Sequence, residues 1–194
     1  MSLDKDNRPT FLYNNDPELE IRAGGAIFYK IDKNSTVQFL MLNSRGKYED
    51  FGGKTDIKDK TINHTIAREV DEESNHIFIK KNILKRINNL TPCYTRKSKY
   101  QIYFIKLTET ESLLDVSIFG DKEIHDNIPR TVEYISIDNL RDTQFIKNNL
   151  CFRLKFKAFF KFVDEIYNKY NKSEEEVESD EYVIITKKRI KNNL

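Results

Sequence analysis

The sequence predicts an α/β fold, and three observations predict it. Two β-rich runs, IRAGGAIFYKI and TVQFLMLN, precede a segment in which Ile62, Ile66 and Val70 fall four residues apart, the spacing of one helix face. Further β-rich runs follow at 100–107 and 131–137. A stretch over about 147–170 closes the pattern, with Leu150, Leu154, Phe159, Val163, Ile166 and Tyr170 at helical spacing. At 194 residues the chain is long enough for one sizeable core and short for two.

Taken in order, residues 1–20 read as a polar arm in which Pro9 and Pro17 discourage regular structure. The first two β-rich runs are joined by the polar DKNS, which predicts a hairpin. SRGKYEDFGGKTDIKDK then reads as a long polar loop interrupted by Tyr48 and Phe51. The helix begins near Thr61 and stops at Asn75, because Asn substitutes for Gly in the left-handed C-terminal cap. The predicted partition is an arm at 1–20, a folded domain at 21–171 and a charged tail at 172–194. Within the tail, NKSEEEVESDE reads as a solvated linker, and YVIITKKRI as either a short strand or a tail end.

Composition narrows the partners. No window approaches the ~18 consecutive apolar residues of a membrane span, which predicts no membrane partner. The polar start MSLDKDNRPT lacks the apolar core of a secretory signal. Cys93 and Cys151 have no CxxC or paired spacing, so no disulfide partner is expected and a reducing, cytoplasmic setting is. A net charge of +2, from 33 basic and 31 acidic residues, neither requires nor excludes nucleic acid. His64, His76 and His125 show no metal-ligand spacing and read as surface or capping residues.

Within the first helix, REVDEESN places four acids in the five positions 69–73. At about 100° per residue, Glu69, Glu72 and Glu73 share one arc with Arg68 alongside, while Ile62, Ile66, Ala67 and Val70 occupy another and face the core. Like charges at this spacing cost about 0.2–0.5 kcal/mol per pair, which a solvated face tolerates without any purpose. The upstream FGGK changes the odds. A Gly-Gly pair lets backbone approach a ligand closely, and Lys54 adds a cation beside it. Clustered carboxylates without His or Cys partners select hard cations, Mg²⁺ before Mn²⁺.

Together these residues resemble the Nudix hydrolase family, whose box reads G-x5-E-x7-R-E-U-x-E-E-x-G-U, with U aliphatic. The match runs through Gly53, Arg68, Glu69, Val70, Glu72 and Glu73, with Gly52 before it and Lys54 after the glycines. Three departures stand out. The interval from Gly53 to Arg68 is one residue longer, the first box Glu is displaced so that Asp59 or Lys60 stands there with Asp56 as an alternative anchor, and Asn75 and His76 replace the final Gly and aliphatic residue.

The resemblance implies an α/β/α sandwich around a mixed β-sheet over roughly 21–171. It also implies that Glu69, Glu72, Glu73 and the Gly53 carbonyl hold Mg²⁺, with Mn²⁺ as the substitute. Arg68 would orient the glutamates and Lys54 would meet the substrate's phosphates. The implied activity is Mg²⁺-dependent hydrolysis of a phosphoanhydride in a nucleoside diphosphate linked to another moiety. Glu72 is the candidate general base within the box, and Glu109, Glu111, Glu123 and Glu133 are candidates beyond it.

Hydrolysis of the 5′ cap of messenger RNA or of a diphosphoinositol polyphosphate is the alternative, because basic residues cluster at KKNILKR, TRKSKY, RLKFK and TKKRIK. In a Lys-rich chain such runs more often form solvated surface. A catalytically silent Nudix-fold binding module is the rival of another class. It would be favoured by loss of the box glutamates, and they all stand.

Overall fold

The computed structural model describes residues 8–123 and 128–170. A short ladder pairs β1 (Phe11–Leu12) with β2 (Glu20–Ile21), so part of the predicted polar arm is structured. Aromatic side chains account for the difference: Tyr13 stacks on Tyr94 with ring centroids 4.7 Å apart, and Phe11 packs on the core. The first residues of the arm and the predicted tail 172–194 lie outside the described residues.

Among the described residues the main sheet is mixed and seven-stranded. β3 (Ala23–Ile31) and β4 (Val37–Ser44) form the predicted hairpin, antiparallel with Phe28 opposite Leu40. β5 (Lys47–Glu49) and β6 (Phe51–Lys54) follow where the sequence predicts a loop. Beyond them, β7 (Cys93–Thr95) runs antiparallel to β8 (Tyr100–Lys106), and β8 lies parallel to β3. β9 (Arg130–Ser136) adds to the free side of β4. These last two long strands confirm the expected runs near 100–107 and 131–137.

β3 and β4 do not stay paired along their length. β3 passes from β4 to β6 over Ala23–Ala26, while β4 passes from β3 to β5 over Leu42–Ser44. The sheet therefore forks, and Asp50, between β5 and β6, sits at the crossing with 0% of its surface exposed. Gly52 and Gly53 lie opposite Gly25 and Gly24 in a ladder, which is why a segment read as a loop is extended. A Cβ on Gly25 would strike the Asp50 carboxylate and the Tyr100 hydroxyl, so the glycines vacate space that polar side chains fill.

Alternation along the strands supplies two cores. Ala26, Phe28, Leu40 and Leu42 face α1 (Ile62–Glu73) and α2 (Lys80–Ile87), packing with Ile66, Val70, Ile83 and Ile87. Ile27, Phe39, Met41 and Phe104 face the other way, against Phe159, Val163 and Ile166. Each of the large apolar side chains buried here contributes about 1.5–3 kcal/mol of hydrophobic stabilisation. The result is the expected sandwich, with a mixed sheet between helices. A short helix, α3 (Glu109–Ser112), follows β8.

One expectation is corrected. The stretch 147–170 is not one helix: α4 (Thr143–Asn149) ends at Leu150, whose ψ of 140° is extended, and α5 is helical over 157–170. Between them the Cys151 amide donates to the Tyr48 carbonyl at 2.9 Å, and a 3₁₀ turn covers Phe152–Leu154. Leu150 and Leu154 are buried on either side of the break, so their spacing imitated a continuous helix face.

Candidate active site

α1 starts where the sequence predicts, with the Thr61 hydroxyl accepting from the His64 amide. Its predicted core face is buried: Ile62, Ile66, Ala67 and Val70. It ends on Asn75 at φ 53°, the left-handed conformation expected of an Asn that replaces Gly. The side chain does more than tolerate that conformation. Asn75 Nδ2 donates to the carbonyls of Phe119 at 2.7 Å and Lys122 at 3.0 Å, fastening the segment that carries Glu123 to the end of α1.

Arg68 is the hub of the acidic face. Its Nη1 donates to Glu69 Oε1 and Glu72 Oε2, both at 2.9 Å, and its Nη2 to Asp59 Oδ2 and the Lys54 carbonyl, both at 3.0 Å. Planar guanidinium geometry lets one side chain fix two glutamates and tie the helix to β6 and the preceding loop. Asp59 is 6% exposed and also accepts from the Asp56 amide at 2.9 Å. Of the residues that could replace the displaced first box Glu, Asp59 is the one bound to Arg68. Burial would raise its carboxyl, but hydrogen bonds from Arg68 and the Asp56 amide outweigh burial and hold it low. The Lys54 side chain is exposed at the end of β6.

Glu73 turns the other way and accepts from the Gly52 amide. Gly53 lies so close to the Glu69 carboxylate that a Cβ there would overlap it. The glycine pair thus admits two glutamates against the backbone of β6. Burial pushes Glu69 up to about 7 against the pull of Arg68, with Glu72 and Glu123 adding to the rise. Burial likewise drives Glu73 well above the carboxylate range despite Arg153, and Asp50 and Glu69 push it further.

Beneath these glutamates lies a polar network that sequence reasoning missed. Arg153 Nε donates to Asp50 Oδ1 at 2.8 Å, and its Nη2 to the Asp50 carbonyl at 3.1 Å and the Gly52 carbonyl at 3.4 Å. Its Nη1 lies 3.0 Å from Glu49. The Tyr100 hydroxyl completes the coordination of Asp50 at 2.5 Å. Burial alone would lower the Arg153 guanidinium, but Asp50 and its other neighbours carry it well above its ordinary value. The helix break delivers this arginine. RLKFK reads as a surface run, yet its first residue lies beneath the candidate site; only the acid pair before FGG hinted at a buried partner.

A cleft of about 190 Å³ opens over this assembly, lined by Arg45, Glu49, Glu73, Glu123 and Arg153 among others. Glu123 is the one outlying base candidate that reaches it. Glu109 and Glu111 sit on α3, beyond the C-terminal end of β8, and Glu111 is bound to Arg86 at 2.8 Å. Glu133 pairs with Met41 in register and accepts from Tyr48 at 2.8 Å, on the sheet face away from α1. A larger depression of about 560 Å³, lined by Leu140, Arg141, Ile146 and Phe160, also belongs to that opposite face.

The donor chemistry fits a hard divalent ion, since every candidate ligand is oxygen, and a cation would offset the burial and the neighbouring acids that raise Glu69 and Glu73. The arrangement is not yet convergent. Glu69 and Glu72 face Arg68, Glu73 faces Gly52, and among the described residues no three acidic, His or Cys side chains group into a metal-holding set. The His64 ring bonds to the Thr61 cap of α1 and His76 pairs with Asp71, while His125 lies outside the described residues. Cys93 and Cys151 are free thiols. No helix among the described residues is long and apolar enough to cross a membrane.

No protein-family profile matches the chain, and no curated protein matches it. Solved structures do. An Ap4A hydrolase from C. elegans is 15% identical, covering 77% of this chain and 97% of that one with a TM-score of 0.41. A Nudix hydrolase from M. smegmatis, RenU, is 10% identical over 83% and 96%, with a TM-score of 0.40. The Nudix domain of Shewanella oneidensis NrtR, complexed with ADP ribose, is 10% identical over 80% and 94%, with a TM-score of 0.42. All three TM-scores are below 0.5, so the reading of this site stands on the chain's own residues. In motif the chain resembles the Nudix hydrolases.

Proposed function

We propose that the chain is a pyrophosphohydrolase of the Nudix type, which uses Mg²⁺ or Mn²⁺ to hydrolyse a phosphoanhydride in a nucleoside diphosphate linked to another moiety. The observation that supports it most is the Arg68 hub, which ties Glu69, Glu72, Asp59 and the Lys54 carbonyl into one lattice beside the Gly52–Gly53 backbone. A solvated acidic face has no need of such a lattice.

In this reading Glu69, Glu72, Glu73 and the Gly53 carbonyl hold the metal. The ion would lower the pKa of a water and stabilise charge on the departing phosphate. The chain's own residues set the geometry. Arg68 fixes the acids, the Gly52 amide orients Glu73, and Arg153 offsets the negative charge beneath it. Arg68 engages Glu72 Oε2, which leaves Oε1 as the atom to take a proton from the attacking water. Glu123, on the cleft wall, is the second candidate for that proton. Lys54 would meet the substrate's phosphates from the exposed end of β6.

Among the described residues nothing favours a capped RNA or a diphosphoinositol polyphosphate over a small nucleotide; the run TKKRIK lies outside them. The basic runs scatter: Arg86 is held by Glu111, Lys99 by Glu20, and Arg153 lies beneath the glutamates. Product analysis with Mg²⁺ and a panel of small nucleotides, capped RNA and inositol pyrophosphates tests the reading. We expect phosphoanhydride cleavage of a small nucleotide. Absence of Mg²⁺-dependent cleavage across the panel would transfer the assignment to a silent binding module.

A further inference from the structure

Arg45 stands out in the cleft. The register Ser44–Lys47 leaves Arg45 and Gly46 as a two-residue hairpin loop between β4 and β5. Both have positive φ, 52° and 73°. Such turns favour Asn-Gly, because Gly is free of the Cβ penalty and Asn tolerates the left-handed region. Gly46 satisfies that rule and Arg45 does not. An arginine here is strained where a shorter residue would serve the turn better, which points to a role for the side chain.

Its surroundings indicate what that role is. Arg45 is exposed on the wall of the cleft that also holds Glu73 and Arg153. Arg153 directs its donors at Glu49, Asp50 and Gly52. Arg45, by contrast, makes no hydrogen bond or ion pair among the described residues, although it acts on Glu49 electrostatically and helps to lower its carboxyl against burial. Its planar fork suits the paired oxygens of a phosphate. The cleft, at about 190 Å³, is below the ~300–1,000 Å³ of sites that enclose a whole drug-sized ligand. It therefore suits the charged diphosphate of a substrate more than its nucleoside.

We infer that Arg45 is a substrate-binding residue that grips the diphosphate from the β4–β5 turn, in the cleft that Glu73 of α1 also lines. The inference rests on the pyrophosphohydrolase reading and adds to it the residue that reads the phosphates from the sheet side. In exchange for a strained turn, the hairpin carries a guanidinium that the protein leaves for the ligand.

The test is calorimetric binding of methylenediphosphonate, which cannot be hydrolysed at its bridging carbon, with Mg²⁺ present. Wild type, Arg45→Asn, Arg45→Lys and Glu73→Gln are compared, with Tm measured for each. Arg45→Asn should bind about tenfold or more weakly, since a charge-assisted fork is lost. Its Tm should stay level or rise by up to about 3 °C as the strain is relieved. Arg45→Lys should fall between, keeping charge and losing the fork. Wild-type affinity in Arg45→Asn would overturn the inference and leave the proposed function standing. No Mg²⁺-dependent binding by the wild type, or unchanged binding by Glu73→Gln, would overturn both.

Discussion

Arg68 and Arg153 divide the work of managing the acids. Arg68 serves Glu69 and Glu72 from the helix, and Arg153 serves Glu49, Asp50 and Gly52 from below. Replacing Arg153 by Met should leave Asp50 buried and unpaired apart from Tyr100, a cost of about 3–5 kcal/mol in stability. Denaturant titration would show it, and an unchanged midpoint would refute the network. Arg68→Lys keeps the charge but cannot span Glu69, Glu72 and Asp59 at once. It should weaken Mg²⁺ binding by about 10–100-fold, as loss of partners that orient metal ligands does. The acids and Arg68 were legible in the sequence because they fall on one arc of one helix. Arg153 was not, because its partner Asp50 lies 103 residues away and no local pattern records a contact of that range.

Among the elements, the β3–β6 ladder and the break before α5 position the site. Gly24 and Gly25 face Gly53 and Gly52, and the space they leave is taken by Asp50, Tyr100 and Glu69. Gly25→Ala should therefore cost about 1–3 kcal/mol by overpacking, and more if Asp50 is displaced from Arg153. A variant as stable as wild type would show that the glycines serve no packing purpose. The strands β3, β4, β8 and β9 and the helix α1 were readable from periodicity. β5 and β6 were not, since FGGK has the composition of a turn and becomes a strand only through close approach to β3. The break at Leu150–Phe156 escaped for the opposite reason. Its buried leucines keep helical spacing while the backbone pairs with Tyr48. Asn75 was legible as a cap, but its two bonds to the 119–122 segment depend on tertiary contact.

For the whole molecule, the raised carboxyls couple stability to pH. Glu69, near 7, and Glu73, well above the ordinary range, keep protons in the metal-free fold that the unfolded chain releases near the ordinary glutamate value of 4.5. Their stabilising contribution is present below that value and is lost as pH rises through the folded one. Metal-free protein should therefore lose Tm between about pH 5 and about pH 8, and Mg²⁺ should restore it most at the upper end. Asp59 acts in a separate, acidic window: its lowered carboxyl stabilises above its unfolded value and fails as pH falls through the folded one. A Tm that rises from about pH 5 to about pH 8 without metal would contradict the assignment of raised values to the glutamates.

The most direct test compares Mg²⁺-dependent turnover of the best small-nucleotide substrate by wild type and Glu73→Gln, with Tm measured beside it. Glutamine keeps the shape and can still accept from the Gly52 amide, but it loses the charge that would hold the metal. We expect a fall in turnover beyond the about 10–100-fold typical of orienting partners, at a Tm equal to or above wild type. Near-normal turnover in a folded Glu73→Gln protein would contradict the placement of the metal site on this face of α1.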